Sequence, residues 1–160
     1  MGLTEDLGRG PVGLDTAVFV YFIEEHPDYL PLVEPVLAGI DQGRWQGVTS
    51  ALTLLETLVV PYRAGNVRLA DQYESYLTRG RGLHLVDLAR PLLRAAALLR
   101  ARFRVRTPDA LQLAAALAMG CSAFVTNDRR LPEIPGLRIL ALDRYRRGRS
   151  RPQRPSDQFR

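Results

Sequence analysis

With 160 residues, 46% of them hydrophobic and 24% charged, the chain suits one domain that buries roughly two-thirds of the surface its unfolded form exposes. No apolar run approaches the roughly 18 residues a membrane span requires, and the single cysteine, Cys121, excludes an internal disulfide and a cysteine-built zinc site. All 22 basic residues are arginine, and seven of them lie in residues 143–160 beside two aspartates, so this segment carries +5 and the remainder is neutral, which excludes a body that binds nucleic acid through general basicity.

The opening MGLTEDLGRG has neither the basic start nor the apolar stretch of a secretory signal, so a cytoplasmic protein is expected. Residues 12–16 read as a short buried strand, and 17–23 as the start of a helix that ends near Pro27. A second helix is expected over 28–41, then a strand over 47–50 leading into a helix over 51–64 that Gly65 stops. Residues 67–78 have helical character, 83–88 read as a strand, and 91–103 as an Ala/Leu/Arg helix opened by a proline. Thr107, Pro108 and Asp109 read as an N-cap, an N1 proline and an early acid of a helix through Met119, which Gly120 ends. Strands follow over 123–126 and 137–142. The alternation predicts a three-layer α/β/α domain over residues 1–142 with a mostly parallel sheet, and the arginine-rich segment 143–160 is expected to be a disordered tail.

Four acids carry the chemistry. In open α/β sheets, reactive groups collect beyond the carboxyl ends of strands, and Asp15 and Asp128 both follow predicted strands. Each could equally N-cap the next helix. Glu56 has Leu52, Leu55 and Val59 at helical spacing around it, which places it on or beside a buried stripe, where an unpaired carboxylate would cost several kcal/mol without a partner. Asp109 stands in a first helical turn, which stabilises a carboxylate by about 0.3 to 1 kcal/mol whatever its function. Gathered at one edge, the four would repel unless a divalent cation neutralised them. An all-oxygen donor set selects Mg²⁺ or Mn²⁺ over zinc.

The segments Leu14-Asp15-Thr16, Leu55-Glu56, Thr107-Pro108-Asp109-Ala110-Leu111 and Val125-Thr126-Asn127-Asp128 resemble, in order and spacing, the acidic motifs of PIN-domain nucleases, particularly VapC-type toxins, over residues 12–142. The resemblance implies that Asp15, Glu56, Asp109 and Asp128 hold the metal, with Thr16, Thr126 and Asn127 in support. It also implies hydrolysis of RNA by a metal-activated water, homodimerisation and inhibition by a small antitoxin. Arg104, Arg106, Arg129 and Arg130 are candidate phosphate contacts through their planar donor forks, against the blander reading of a solvated face. About eleven residues precede the first strand and the tail is long; both depart from the family's usual form.

Gly8-Arg9-Gly10-Pro11-Val12-Gly13 satisfies G-x-G-x-x-G, but it precedes the first strand instead of following one, so a dinucleotide site is not expected. The absence of lysine removes a P-loop. Two alternatives stay open: a catalytically silent PIN-like RNA-binding or assembly module, and a housekeeping RNA-processing nuclease. Tyr21, Phe22, Tyr62, Tyr73 and Tyr76 are the aromatic candidates for a dimer surface.

Overall fold

In a computed structural model of the chain, residues 2–146 are described. The expected disordered tail lies outside the described residues from 147 onward. The elements run α1 (Leu3–Asp6), β1 (Val12–Leu14), α2 (Thr16–Ile23), α3 (Leu30–Asp41), β2 (Gly47–Ser50), α4 (Leu52–Arg63), α5 (Val67–Arg79), β3 (Leu83–Val86), α6 (Arg90–Phe103), α7 (Thr107–Ala118), β4 (Ala123–Thr126) and β5 (Arg138–Ala141), closed by a 3-10 turn (Leu142–Tyr145). Each expected element is present. The expectation missed α1, a four-residue helix held by burial of Leu3 and of Leu7 just beyond it, and its length carries too little periodicity to read.

Five parallel strands form one sheet in the order β3-β2-β1-β4-β5. Strand side chains alternate between faces, and the core divides accordingly. Val12, Leu14, Ala123 and Val125 join a cluster with α1, α2, α3 and Leu77 of α5. Val48 and Phe124 join a second cluster with α6 and α7 on the opposite face. This is a three-layer α/β/α fold. No helix among the described residues is long and apolar enough to cross a membrane.

Two close approaches set the geometry that matters below. Gly13 of β1 lies under α7, where an added Cβ would stand 2.7 Å from Phe124 Cδ2 and 2.9 Å from Ala116 Cβ. The glycine and the small residues Ala114, Ala115 and Ala116 let α7 sit directly on the central strands. At the other end, Tyr145 donates to Asp6 Oδ2 at 2.6 Å and Trp45 Nε1 donates to the Gly8 carbonyl at 2.9 Å, so the residues before β1 are part of the packed domain. The glycine-rich stretch is the connection from α1 into β1, which leaves no strand ahead of it for a dinucleotide motif. Cys121 is buried beside β4, and burial pushes its thiol up to about 11, as expected of core filler.

Candidate active site

The chain builds β1, β2 and β3 in one direction and then returns to place β4 and β5 on the other side of β1. The switch point is therefore between β1 and β4, and the crevice beyond their carboxyl ends is the favoured site in such sheets. Asp15 ends β1 and N-caps α2, while Asp128 lies two residues beyond β4. Asp109 is the third residue of α7, and Glu56 the fifth of α4. All four line one cleft of about 670 Å³, together with Thr16, Tyr21, Arg106, Gln112, Asn127, Arg129 and Arg130. Arg104 lines an adjoining cleft that shares Arg106, Asp109, Asp128 and Arg130.

Asp15 is the innermost of the four. Its Oδ1 accepts from the Thr16 backbone N–H at 2.9 Å and its Oδ2 from the Thr126 hydroxyl at 2.7 Å. Burial pushes this carboxyl up, against the pull of those two bonds, and the charges of Asp109 and Glu56 push it further. Asp109 is also raised, by burial first and then by Asp128, with Arg106 and Arg130 opposing. Asp128 behaves differently. Desolvation is the largest single influence and works upward, but the hydrogen bonds from Arg130 and the charges of Arg130 and Arg106 together outweigh it and hold the carboxyl below the usual range.

The ion pairs explain this split. Arg106 Nε lies 3.6 Å from Asp109 Oδ2, and its Nη2 lies 3.7 Å from Asp128 Oδ2, so one exposed guanidinium spans two acids. Arg130 donates to Asp128 Oδ1 through its backbone N–H at 2.9 Å and through Nε at 3.1 Å. Among the described residues, Asp15 and Glu56 have no such ion pair. No three His, Cys, Asp or Glu side chains among the described residues are gathered tightly enough to hold an ion as they stand. The donor chemistry nevertheless fits a hard cation: carboxylates and hydroxyls, with an inner acid whose charge is raised in cost by its acidic neighbours.

The supporting residues have defined partners. Thr126 also accepts from the Asp128 backbone N–H at 3.0 Å, so one hydroxyl ties the two strand-end acids together. Asn127 donates to the Tyr21 hydroxyl at 2.9 Å and accepts from the Asp143 backbone N–H at 3.2 Å. Arg129 lines the same cleft but pairs with Asp143. Thr16 donates to Glu56 Oε1 at 2.8 Å.

Three expectations are corrected. Glu56 does not lie on a buried stripe: it is exposed, as are Leu55 and Val59, and the face that α4 buries carries Thr53, Thr57 and Pro61. The leucines around Glu56 are spread too evenly about the helix to mark the inner face. The N-cap of α7 is Arg106, not Thr107, which makes Pro108 the second helical residue. Tyr73 is a core residue and cannot serve a dimer surface. Sequence reasoning also missed the buried polar residues Gln112, Thr53 and Thr49 behind the acids. A glutamine inside the apolar run of α7 was the available signal.

The raised acids make a pH prediction with a definite sign. Asp15 and Asp109 bind protons more readily folded than unfolded, so the ion-free chain gains stability as pH falls from neutral through their raised values toward 3.8. Below that, Asp128 works the other way, because its stabilising charge is lost as pH falls through its lowered value. Thermal melts of ion-free protein across this window should show a rising Tm on mild acidification; a steady fall from neutral pH would contradict it.

A PIN domain family model matches residues 12–137. A comparison with curated proteins finds no match. Among solved structures, the chain is similar to a toxin–antitoxin complex from Klebsiella pneumoniae, with a TM-score of 0.61 and 17% identity over 80% of this chain and 95% of that one. It is similar to VapBC2 from Rickettsia felis bound to a DNA fragment of its promoter, at 0.64 and 20% over 81% and 97%. A third is FitAcB from Neisseria gonorrhoeae, at 0.59 and 15% over 82% and 98%.

Proposed function

Because this chain belongs to the PIN domain family, whose members are generally nucleases using divalent metals, we propose that it is an Mg²⁺- or Mn²⁺-dependent endoribonuclease, the toxin of a type II toxin–antitoxin pair. The observation that carries this reading is the meeting of Asp15, Glu56, Asp109 and Asp128 in one cleft at the switch point of the sheet. A bound ion there would supply a nucleophile at neutral pH and neutralise charge building on a phosphodiester.

The chain's own residues prepare the cleft for that work. Thr126 and the Thr16 backbone N–H hold Asp15 in one orientation, and the Thr16 hydroxyl holds Glu56. Arg106, Arg129 and Arg130 line the same cleft and can meet the substrate's phosphates. Purified protein should cut RNA with Mg²⁺ or Mn²⁺ and stop when EDTA is added.

The pairing of Arg106 and Arg130 with the acids favours a second reading, a silent module in which guanidinium groups replace the ion. RNA binding without cleavage in either metal, across varied sequences, would select it. For the partner, one of the similar solved structures is by its name a toxin–antitoxin complex. A short upstream reading frame with a DNA-binding head and a flexible tail would support an antitoxin, and its absence would favour housekeeping RNA processing in the cytoplasm.

A homodimer is part of this proposal, and α4 offers it a surface. Leu55, Val59 and Tyr62 share one stripe of the helix and are 61%, 40% and 54% exposed. Exposed apolar side chains grouped on one helix fit a second copy of the same face, packed about a two-fold axis, and the exposed Leu93 and Leu98 of α6 offer a rival face. Val59→Glu with Tyr62→Glu should convert a dimer to a monomer in light scattering; an unchanged mass would move the interface elsewhere.

A further inference from the structure

Behind the acids lies a chain of buried polar groups that the four-carboxylate reading does not use. Gln112 of α7 is 3% exposed, and Thr49 and Thr53 are 1% and 0% exposed. Gln112 Oε1 accepts from the Ser50 backbone N–H at 3.1 Å and, more weakly, from the Thr49 hydroxyl at 3.4 Å. Its Nε2 donates to Thr53 Oγ1 at 2.7 Å and to Thr16 Oγ1 at 3.3 Å.

A backbone N–H can only donate, so Ser50 fixes which end of the carboxamide faces β2. The donor end must then face α2 and α4. Because Nε2 carries protons and no lone pair for bonding, the Thr16 and Thr53 oxygens beside it act as acceptors there. Each hydroxyl has one proton left to direct. For Thr16 the choices are Thr53 Oγ1 at 3.1 Å and Glu56 Oε1 at 2.8 Å, and the ionised acceptor at the shorter distance wins. Thr53 can direct its own proton to Thr49 at 2.7 Å.

We propose that Gln112 is the positioning residue for Glu56, acting through the Thr16 hydroxyl; as a statement about catalysis, this rests on the nuclease reading above. Glu56 is exposed and would otherwise sample many rotamers, with side-chain entropy resisting a single pose. The end of β2 thus sets the direction of a carboxamide, the carboxamide sets the direction of a hydroxyl, and the hydroxyl holds an exposed carboxylate toward Asp15. The chain links α7, β2, α2 and α4, the elements whose packing brings the acids together.

The test is a double-mutant cycle in the full-length protein with Mn²⁺ and a short RNA. Thr16→Val and Gln112→Met should each lower kcat roughly tenfold or more, the worth of a hydrogen bond to a charged group, with KM for RNA unchanged. The double variant should be no slower than either single one, and Thr16→Ser should keep most of the activity. In the ion-free protein, scalar couplings of the Glu56 methylenes should report one rotamer in the native chain and Thr16→Ser, and averaging in Thr16→Val and Gln112→Met. If Gln112→Met does not fold, Gln112→Asn, which keeps a carboxamide but is one methylene too short to reach both Ser50 and Thr16, completes the same cycle. Effects that multiply, or Glu56 couplings already averaged in the native chain, overturn the proposal. If the native protein cuts no RNA, the nuclease reading fails, and the couplings alone decide whether Gln112 orients Glu56.

Discussion

Asp15→Asn should abolish RNA cleavage while leaving the fold intact or more stable. Asparagine is close to isosteric, and its Oδ1 can still accept from the Thr16 N–H, so the N-cap of α2 survives. The charge that burial, Asp109 and Glu56 all make costly is removed, so the ion-free variant should melt no lower than the native chain. Activity should move the other way. On the proposed reading, removing the innermost acid takes away several kcal/mol of charge stabilisation, about a thousandfold or more in kcat, and Mn²⁺ affinity measured by calorimetry should fall with it. A variant that cuts RNA at near-native rates with native Tm would show that the reactive centre lies elsewhere. An Asp15→Asn chain that unfolds would mean the carboxylate is chiefly structural, against the direction of its raised pKa.

The second large effect is expected far from any reacting group. Gly13→Val would place a branched side chain where even a single Cβ meets Phe124 and Ala116 below 3.0 Å. Neither neighbour can yield easily, because Phe124 is 1% exposed on β4 and Ala116 belongs to the small-residue face of α7. Overpacking of this kind costs about 1 to 3 kcal/mol or more, and at this chain length each kcal/mol lowers Tm by about 2 to 4 °C. If α7 moves outward to relieve the clash, Asp109 and Gln112 move with it. Gly13→Val should therefore lose activity at temperatures where circular dichroism still reports a folded chain. Gly13→Ala should lie between the two. Native activity in a fully folded Gly13→Val protein would show that α7 need not sit so close to the sheet.

These effects divide the molecule into what local pattern can reveal and what only assembly reveals. Asp15 and Asp128 were legible because each closes a short apolar run, and the end of a buried strand is a place the chain can announce by itself. Asp109 was legible from the proline beside it. The alternation of strands and helices announced the layered fold, and its bounds moved by a few residues at most. Glu56 does line the cleft with the other three acids, but the reason for singling it out was wrong. Leucines surround it on several sides of α4, and the inner face turned out to carry threonines because what lies opposite is the polar chain through Gln112 rather than apolar core. That chain joins residues as far apart as Thr16 and Gln112, and no spacing rule connects them. The pairing of Arg106 with both Asp109 and Asp128 is similarly invisible until the loop after β4 comes to rest beside the start of α7.

The anchoring of Asn127 to the Asp143 backbone has a practical meaning for anyone who trims this protein. Asp143 also meets Arg129, Arg146 and the Tyr29 hydroxyl, and Arg146 reaches Asp28 at 3.1 Å. A deletion intended to remove only the arginine-rich end must begin after Arg146. One that begins at Asp143 would cut the tether of the loop bearing Asp128, and a resulting loss of RNA binding would be blamed on missing arginines when the fault lay in a slackened hinge.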